Sequence, residues 1–207
     1  NKTPEYVAGI TSIYRKNIDT KIYGKQYNYD TSKDKYVLKQ LFNRNGQSAG
    51  YLNGVEKLSS ITTTSPKNMG LYLGEVIAKK GRLIKLKLEE DIDLHDGFEV
   101  YSSKNEVLSS GIVTCIKDEK LKLINLRIDK GNYVYIGDTT KNIPVGSKVY
   151  KTSSNSLNKK LEDTYKDDIQ NRKINVFVDL TIKKNRNIYV NYTVDGSISS
   201  SLEFEYI

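Results

Sequence analysis

The residue types that most often carry catalysis are scarce in this sequence. His95 is the single histidine and Cys115 the single cysteine. A serine or cysteine nucleophile needs a base beside it, and no spacing of residues here supplies that pair. Cys115 stands in the apolar run Val113-Thr114-Cys115-Ile116, where a small buried side chain is the simpler interpretation. The sequence therefore predicts no catalytic residue of its own.

Acidic residues concentrate in residues 89–96. Taken as a calcium loop that starts at Asp91, this run has Asp96 at the sixth position and Ser102 at the twelfth, where an EF-hand needs Gly and Glu. The glycines of residues 70–74 are not followed by the Lys-Ser or Lys-Thr pair of a phosphate loop, and no zinc-ligand spacing occurs. We therefore expect no cofactor and no metal, and interpret the acidic run as a rim of the fold.

One group of basic residues has the composition of a nucleic-acid surface. They fall within one predicted hairpin and beside Tyr72: Lys79, Lys80, Arg82, Lys85 and Lys87. Because cations contact phosphates and aromatic rings stack on bases, this set predicts an RNA-binding surface. Lysines on the wet face of strands also protect sheet edges, and that interpretation stays open beside the first.

The formal charge of +8 is concentrated in the first third of the chain. Residues 1–65 hold 10 Lys and Arg against 5 Asp and Glu, whereas residues 153–207 hold 8 of each kind. A basic segment suits an acidic partner such as RNA or an acidic neighbouring surface, and a coding bias toward Lys, Asn, Ile and Tyr is the alternative explanation. No apolar run approaches the ~20 residues that span a bilayer. With one cysteine and hence no internal disulfide, we expect a cytoplasmic protein without membrane contact.

Short runs of β-branched and aromatic residues fill the middle of the chain. They cover residues 71–78, 82–88, 98–101, 107–116, 121–128, 133–136 and 148–151. Ile84, Leu86 and Leu88 alternate with lysines, which is typical of a strand with one wet side. Many short strands without a helical pattern between them predict a small closed β-barrel, since closure removes exposed sheet edges.

One spacing occurs twice in this region. Leu94-x-x-Gly97-x-x-Val100-Tyr101 returns as Ile143-x-x-Gly146-x-x-Val149-Tyr150. The repeat suggests two equivalent corners of one barrel, and turn chemistry repeated by chance is the other explanation.

Helical periodicity precedes the barrel. Thr3 and Pro4 predict a helix start, because Thr caps the first N–H groups and Pro is favoured at the first helical position. One apolar stripe follows at helical spacing: Val7, Ile10, Tyr14 and Ile18. Ser32 is predicted to cap a second helix that runs to residues 45–46. Since residues 1–60 offer these helices little to pack on, we expect a neighbouring domain before the barrel.

The last part of the chain alternates helix and strand signals. A helix capped by Ser154 or Ser156 is predicted to carry Leu157, Leu161, Tyr165 and Ile169. Strict alternation over residues 174–182 and 188–194, with a hairpin turn at Asp195-Gly196, predicts the start of a further antiparallel β domain.

Two groups of residues are similar to motifs of peptidase family U32, the collagenase-like proteases. The first resembles the end of that family's catalytic domain and includes Pro4, Glu5, Tyr6, Tyr14 and Arg15. The second resembles a later signature and includes Asn43, Arg44, Gly50 and Tyr51. Arg44-Asn45-Gly46 departs from the family's usual Arg-Gly-Gly or Arg-Gly-Phe. The resemblance covers most of residues 2–165.

The predicted fold is mainly β with flanking helices: a small barrel that resembles those of translation factors, plus a partial antiparallel sheet. The predicted domains are residues 1–65 as a helical remnant and linker, 66–152 as the barrel, 153–172 as a helical spacer and 173–207 as the truncated β domain. The resemblance implies the non-catalytic C-terminal region of a collagenase-like peptidase. Such a region would orient a protein or peptide substrate for a catalytic domain missing from this chain. An RNA-binding module of an RNA-modifying family member and a structural spacer are the alternatives.

Overall fold

The computed structural model describes residues 2–24, 30–44, 46, 67–137, 139, 142–166, 175–194 and 198–205. Over these ranges the helices are α1 (Pro4–Tyr23), α2 (Thr31–Leu41) and α3 (Asn155–Glu162). The strands are β1 (Leu71–Lys80), β2 (Leu83–Lys87), β3 (Gly97–Tyr101), β4 (Val107–Ile112), β5 (Cys115–Lys117), β6 (Leu123–Ile124), β7 (Tyr133–Gly137), β8 (Lys148–Ser153), β9 (Val176–Thr181), β10 (Ile188–Val194) and β11 (Ile198–Phe204). The mainly β fold with flanking helices is confirmed. The chain divides into two compact units, Asn1–Lys166 and Asp167–Ile207.

The first unit is built on one antiparallel sheet of eight strands, in the order β4-β3-β8-β1-β2-β7-β5-β6. The sheet curls into a half-barrel whose two end strands are β4 and β6, so it is more open than the closed barrel expected from the sequence. Its concave side carries the inward residues of each strand, which alternate with polar residues as the sequence predicts. The fully buried members of this core include Leu73, Val76, Ile84, Leu86, Ile92, Phe98, Val100, Ile116, Ile136 and Val149.

Two predicted strands are shorter than their sequence patterns. The run over residues 107–116 breaks at Val113, whose backbone N–H donates to the carbonyl of Asp96 and whose carbonyl accepts from the N–H of His95. Because those groups bond to a turn, pairing with β3 stops at the end of β4. The chain then pairs with β7 through β5. The run over residues 121–128 keeps only the two residues of β6 as strand.

The repeated spacing lies on two neighbouring strands. β3 and β8 pair in antiparallel register, with Val100 opposite Val149. The rings of Tyr101 and Tyr150 meet edge to face with centroids 5.4 Å apart. The two copies of the pattern therefore contact each other directly.

The caps of the helices follow elementary hydrogen-bonding chemistry. Thr3 caps α1 as predicted, with its Oγ1 accepting from the N–H of Tyr6 at 3.3 Å and Pro4 in the first turn. The prediction that Ser32 caps α2 is wrong, because Asp30 accepts from the N–H groups of Ser32 and Lys33 at 3.0 and 3.1 Å. A carboxylate at that position also complements the positive end of the helix dipole. α2 ends at Leu41, short of residues 45–46.

The helix α1 packs through a face that its apolar stripe does not occupy. The position of Gly9 is buried against Leu41 of α2 and Leu161 of α3, so the small residue permits close helix packing. Val7, Tyr14 and Ile18 lie on the opposite side of the helix and are 55%, 59% and 43% exposed. Three of the four residues of the predicted stripe therefore face outward, while Ile10 is partly buried.

The second unit is a three-stranded antiparallel sheet in the order β11-β10-β9. The predicted Asp195-Gly196 turn between its last two strands and Ile169 of the predicted third helix lie outside the described residues. None of the helices that the structure describes is long and apolar enough to cross a membrane.

Candidate functional site

A groove of about 400 Å³ opens between α1 and α2. Its lining, which defines the α1–α2 groove, is mostly apolar and aromatic: Tyr6, Ile10, Tyr14, Leu38, Phe42, Arg44 and Gly46. Three of these residues, Tyr6, Tyr14 and Arg44, belong to the two motifs singled out in the sequence. Residues from both ends of the helical segment thus meet at one site.

Cations and rings are layered at one end of this groove. The Nζ of Lys2 lies 3.4 Å from the centre of the Phe42 ring and 4.9 Å from that of Tyr6. The guanidinium of Arg44 lies 5.0 Å from the Phe42 ring, and Tyr6 meets Phe42 edge to face with centroids 6.1 Å apart. Such an arrangement suits an apolar or aromatic group with an acidic group beside it. It provides no nucleophile paired with a base, so the groove is equipped for binding.

Asn43 fastens the end of α2 to the start of β1. Its Nδ2 donates to the carbonyl of Gly70 at 2.7 Å, and its backbone N–H donates to Oδ1 of Asn68 at 2.8 Å. The backbone N–H of Met69 in turn donates to the Asn43 carbonyl at 2.8 Å. This motif residue therefore has a structural role: it holds the groove in place relative to the half-barrel.

A buried ionic cluster fastens the middle of α2 to the same half-barrel. Lys151 on β8 is 1% exposed and donates through Nζ to the carbonyl of Asp91 at 2.8 Å and to its Oδ2 at 2.9 Å. Tyr36 of α2 donates to Oδ1 of Asp91 at 2.5 Å, and its hydroxyl accepts from Lys151 at 3.1 Å. Asp96 Oδ2 lies 3.8 Å from Lys151, and Arg127 lies 3.4 Å from Asp91. We call these five residues the Lys151 cluster.

The two carboxylates of the Lys151 cluster respond to it in opposite directions. Burial raises the pKa of Asp96 above its ordinary value, against hydrogen bonds from backbone N–H groups and the charge of Lys151. Burial acts the same way on Asp91, but the hydrogen bonds from Tyr36 and Lys151 outweigh it and lower its pKa. Burial, followed by the hydrogen bond to Asp91, strongly raises the pKa of Tyr36. Asp91 is therefore the constant counter-charge of Lys151.

Sequence reasoning did not find this cluster, although two signals for it exist. In β8 the inward side chains are those of Val149 and Lys151, so a lysine stands where the period of two calls for an apolar residue. Asp91 and Asp96 both come from the acidic run interpreted as a rim. A lysine at an inward position implies a buried carboxylate partner, since unpaired buried charges are very costly.

The remaining motif residues make local contacts. Pro4 lies in the first turn of α1, and Arg15 forms an ion pair with Asp19 one turn later. Glu5 accepts a hydrogen bond from the Tyr165 hydroxyl at 2.5 Å, which lowers the pKa of Glu5 and raises that of Tyr165 to about 12. Gly50 and Tyr51 lie outside the described residues.

The basic residues occupy the β1–β2 hairpin. Lys79 and Lys80 end β1, Arg82 lies in the turn, and Lys85 and Lys87 lie on β2. Lys85 pairs with Glu119 at 2.6 Å and lies 5.4 and 5.9 Å from two ring centres on β7, those of Tyr133 and Tyr135. Tyr72 packs edge to face on Tyr150 instead, with centroids 5.6 Å apart. Cations and aromatic rings therefore do meet on β2 and β7.

The histidine and the cysteine considered in the sequence lie on different elements of the fold. His95 lies in the turn before β3 with a positive φ of 68°, and Cys115 is half-buried on β5. Among the residues that the structure describes, no group of three or more His, Cys, Asp or Glu side chains is arranged to hold a metal ion.

Comparison with known proteins gives two structural likenesses. No protein-family model matches the sequence, and no curated protein matches it. The C-terminal domain of a candidate U32 peptidase from Geobacillus thermoleovorans is 12% identical, with a TM-score of 0.35 over 42% of this chain and 98% of that one. The selenomethionine variant of that domain is 13% identical, with a TM-score of 0.32 over 40% and 96%. At these scores the likeness carries no weight for fold or activity.

Proposed function

We propose that this chain is a non-catalytic accessory region of a collagenase-like peptidase. In this proposal the α1–α2 groove binds a polypeptide substrate and orients it for a catalytic domain of the same protein. The observation that carries the proposal is the outward-facing apolar stripe of α1, which borders the groove. Contiguous apolar surface of this kind marks protein interaction sites.

The chemistry of the groove supports a polypeptide ligand. Phe42 and Tyr6 offer flat apolar contact, and Lys2 and Arg44 place positive charge at the same end. An extended peptide presents apolar side chains, which suit the two rings. It also presents carboxylates at intervals, which suit the two cations. Asn43 and the Lys151 cluster hold α2 rigidly, so a peptide in the groove keeps one orientation relative to the half-barrel.

Gelatin binding and gelatin cleavage test the proposal separately. Immobilised gelatin is expected to bind the 207-residue chain, measured by biolayer interferometry, while the same chain releases no fragments above a buffer blank. Cleavage by the chain alone would refute the non-catalytic part. An absence of binding at the highest soluble concentration would refute the substrate-binding part.

Two tyrosines of α1 provide a matched pair of variants. Tyr14 lines the groove, whereas Tyr23 lies at the end of the same helix, and they are 59% and 63% exposed. Tyr14→Ala is expected to weaken gelatin binding about fivefold to tenfold, in the range of an interface aromatic, and Tyr23→Ala to leave it unchanged. Equal effects of both substitutions would place the binding surface elsewhere.

RNA binding is the second candidate function, favoured by Lys85 and its two ring contacts on β7. Filter binding of a single-stranded RNA at several salt concentrations tests it, because phosphate contacts release counterions and make affinity fall with salt. Lys87→Gln is expected to weaken binding, while Lys159→Gln on α3 removes the same charge from another surface. Affinity that is insensitive to salt would eliminate this candidate.

A further inference from the structure

The three-stranded sheet of the second unit has one apolar and one polar face. Side chains that stand opposite each other in the register share a face, and successive residues alternate between faces. Leu180, Val190 and Leu202 form one cross-strand row, and Val178 with Tyr192 lies in the next row on that side. Asp179, Asn191 and Ser201 form a row on the other side. The pattern is that of a sheet with one face built for burial.

The apolar face is nevertheless open to solvent. Five of its side chains are between 50% and 58% exposed: Val176, Val178, Leu180, Leu202 and Phe204. All six residues of β9 are exposed. A sheet that is hydrophobic on one face must bury that face against another element, so this face calls for a covering layer.

We propose that a second copy of this chain covers the face, so that two sheets pack face to face across a two-fold axis. The rows described above contain no charged side chain on the apolar side, so two copies meet without like-charge repulsion or unpaired carboxylates. A self-complementary patch is the requirement for a two-fold interface. The proposal is independent of the α1–α2 groove and of its ligand.

The size of the face fits a weak dimer. Three strands about 4.8 Å apart and about seven residues long at about 3.3 Å each span roughly 14 by 23 Å. Two such faces have a flat footprint of roughly 650 Å² in total, below the ~1,000 Å² of a stable specific interface and in the size range of weak, transient contacts. We therefore expect a dissociation constant on the order of micromolar and a concentration-dependent mass.

Sedimentation equilibrium of the 207-residue chain from about 1 to 200 µM tests the proposal. The wild-type chain is expected to change from monomer to dimer across this range. Val178→Glu is expected to raise the dissociation constant at least tenfold, because it places a charge within the packed face. A wild-type chain that remains monomeric at 200 µM would overturn the proposal, as would a larger closed assembly.

Phe177 gives the matched control. It neighbours Val178 on the same edge strand, lies on the opposite face and is 68% exposed. Phe177→Glu therefore introduces the same charge without touching the apolar face, and the dimer is expected to persist. Equal weakening of the dimer by both variants would indicate pairing through the free edge of β9. Dimers insensitive to both variants would indicate an interface elsewhere. Either result refutes packing through this face. Far-UV circular dichroism of both variants verifies that the strands are retained, and Leu202→Glu on β11 repeats the test from the other edge.

Discussion

Replacing Lys151 by methionine tests whether the Lys151 cluster holds the helical segment on the half-barrel. The substitution keeps the unbranched stem but removes the charge and its donors to Asp91 and Tyr36. Arg127 remains 3.4 Å from Asp91, so that carboxylate keeps a cation. Asp96 lies completely buried and loses the cation 3.8 Å away. Breaking a buried pair by removing one partner costs about 3–5 kcal/mol. Because one of the two carboxylates still has a cation beside it, we expect the free energy of unfolding to fall by about 3 kcal/mol at pH 7, the lower end of that range.

The pH dependence of this loss identifies its cause. Burial already raises the pKa of Asp96, and loss of Lys151 raises it further. A carboxyl whose pKa is raised in the folded state favours folding in its protonated form and opposes it as pH rises through that pKa. The difference in the free energy of unfolding between wild type and Lys151→Met is therefore expected to be largest at pH 7 and to shrink toward pH 4.5. Loss of Lys151 also removes two of the contributions that outweigh burial and lower the pKa of Asp91, so this carboxyl changes the difference in the same direction as Asp96.

Hydrogen exchange read by mass spectrometry is the suitable assay, because peptides from β1 and β8 report on the first unit alone. Lys148→Met is the matched control: it lies on the same strand, its side chain is exposed, and we expect a change below about 0.5 kcal/mol. A loss below about 1 kcal/mol for Lys151→Met at pH 7, or the same loss at pH 4.5, would refute the cluster as an anchor.

Two further substitutions probe the contacts that position the groove. Asn43→Ala removes the donor to the Gly70 carbonyl. It is expected to lower the free energy of unfolding by about 2 kcal/mol and to speed hydrogen exchange in residues 67–70. Protection equal to wild type would contradict the role of Asn43 in connecting α2 to β1. Tyr165→Phe removes the hydrogen bond that lowers the pKa of Glu5, so the Glu5 carboxyl is expected to titrate at higher pH in a ¹³C NMR series, whereas an unchanged titration would mean that the bond is absent in solution.

Local chemistry made much of the first unit predictable. Thr3 and Pro4 begin α1 as expected, and the alternation of Ile84, Leu86 and Leu88 gives the buried side of the sheet. The break at Val113 was not predictable from periodicity, because the apolar pattern continues through it while the hydrogen bonds change partner. The cap of α2 was misassigned since Ser32 and Asp30 both have capping chemistry, and only the backbone geometry selects between them.

The site was less predictable than the fold, for a physical reason. Rings and cations of the α1–α2 groove come from residues 2–14 and 38–46, and their meeting depends on how α1 and α2 pack. Lys151 and Asp91 are 60 residues apart and meet only because β8 and the turn after β2 lie at the same end of the sheet. Pairings of this kind depend on long-range register, which no local pattern encodes.

The orientation of α1 is where sequence reasoning and structure differ most usefully. A helix is expected to bury its apolar stripe, so the spacing of Val7, Tyr14 and Ile18 indicates an inward face. The structure buries Gly9 instead, because a residue without a side chain lets Leu41 and Leu161 approach closely. Packing of α1 in this unit thus depends on the side of the helix that carries Gly9. The side that carries Val7, Tyr14 and Ile18 remains exposed. If the stripe served packing within the chain, Ile18→Glu would lower its stability by the ~1.5–3 kcal/mol of a buried aliphatic side chain. We expect a change below about 0.5 kcal/mol, as for a surface site, and a larger loss in the same exchange assay would mean that the stripe is covered.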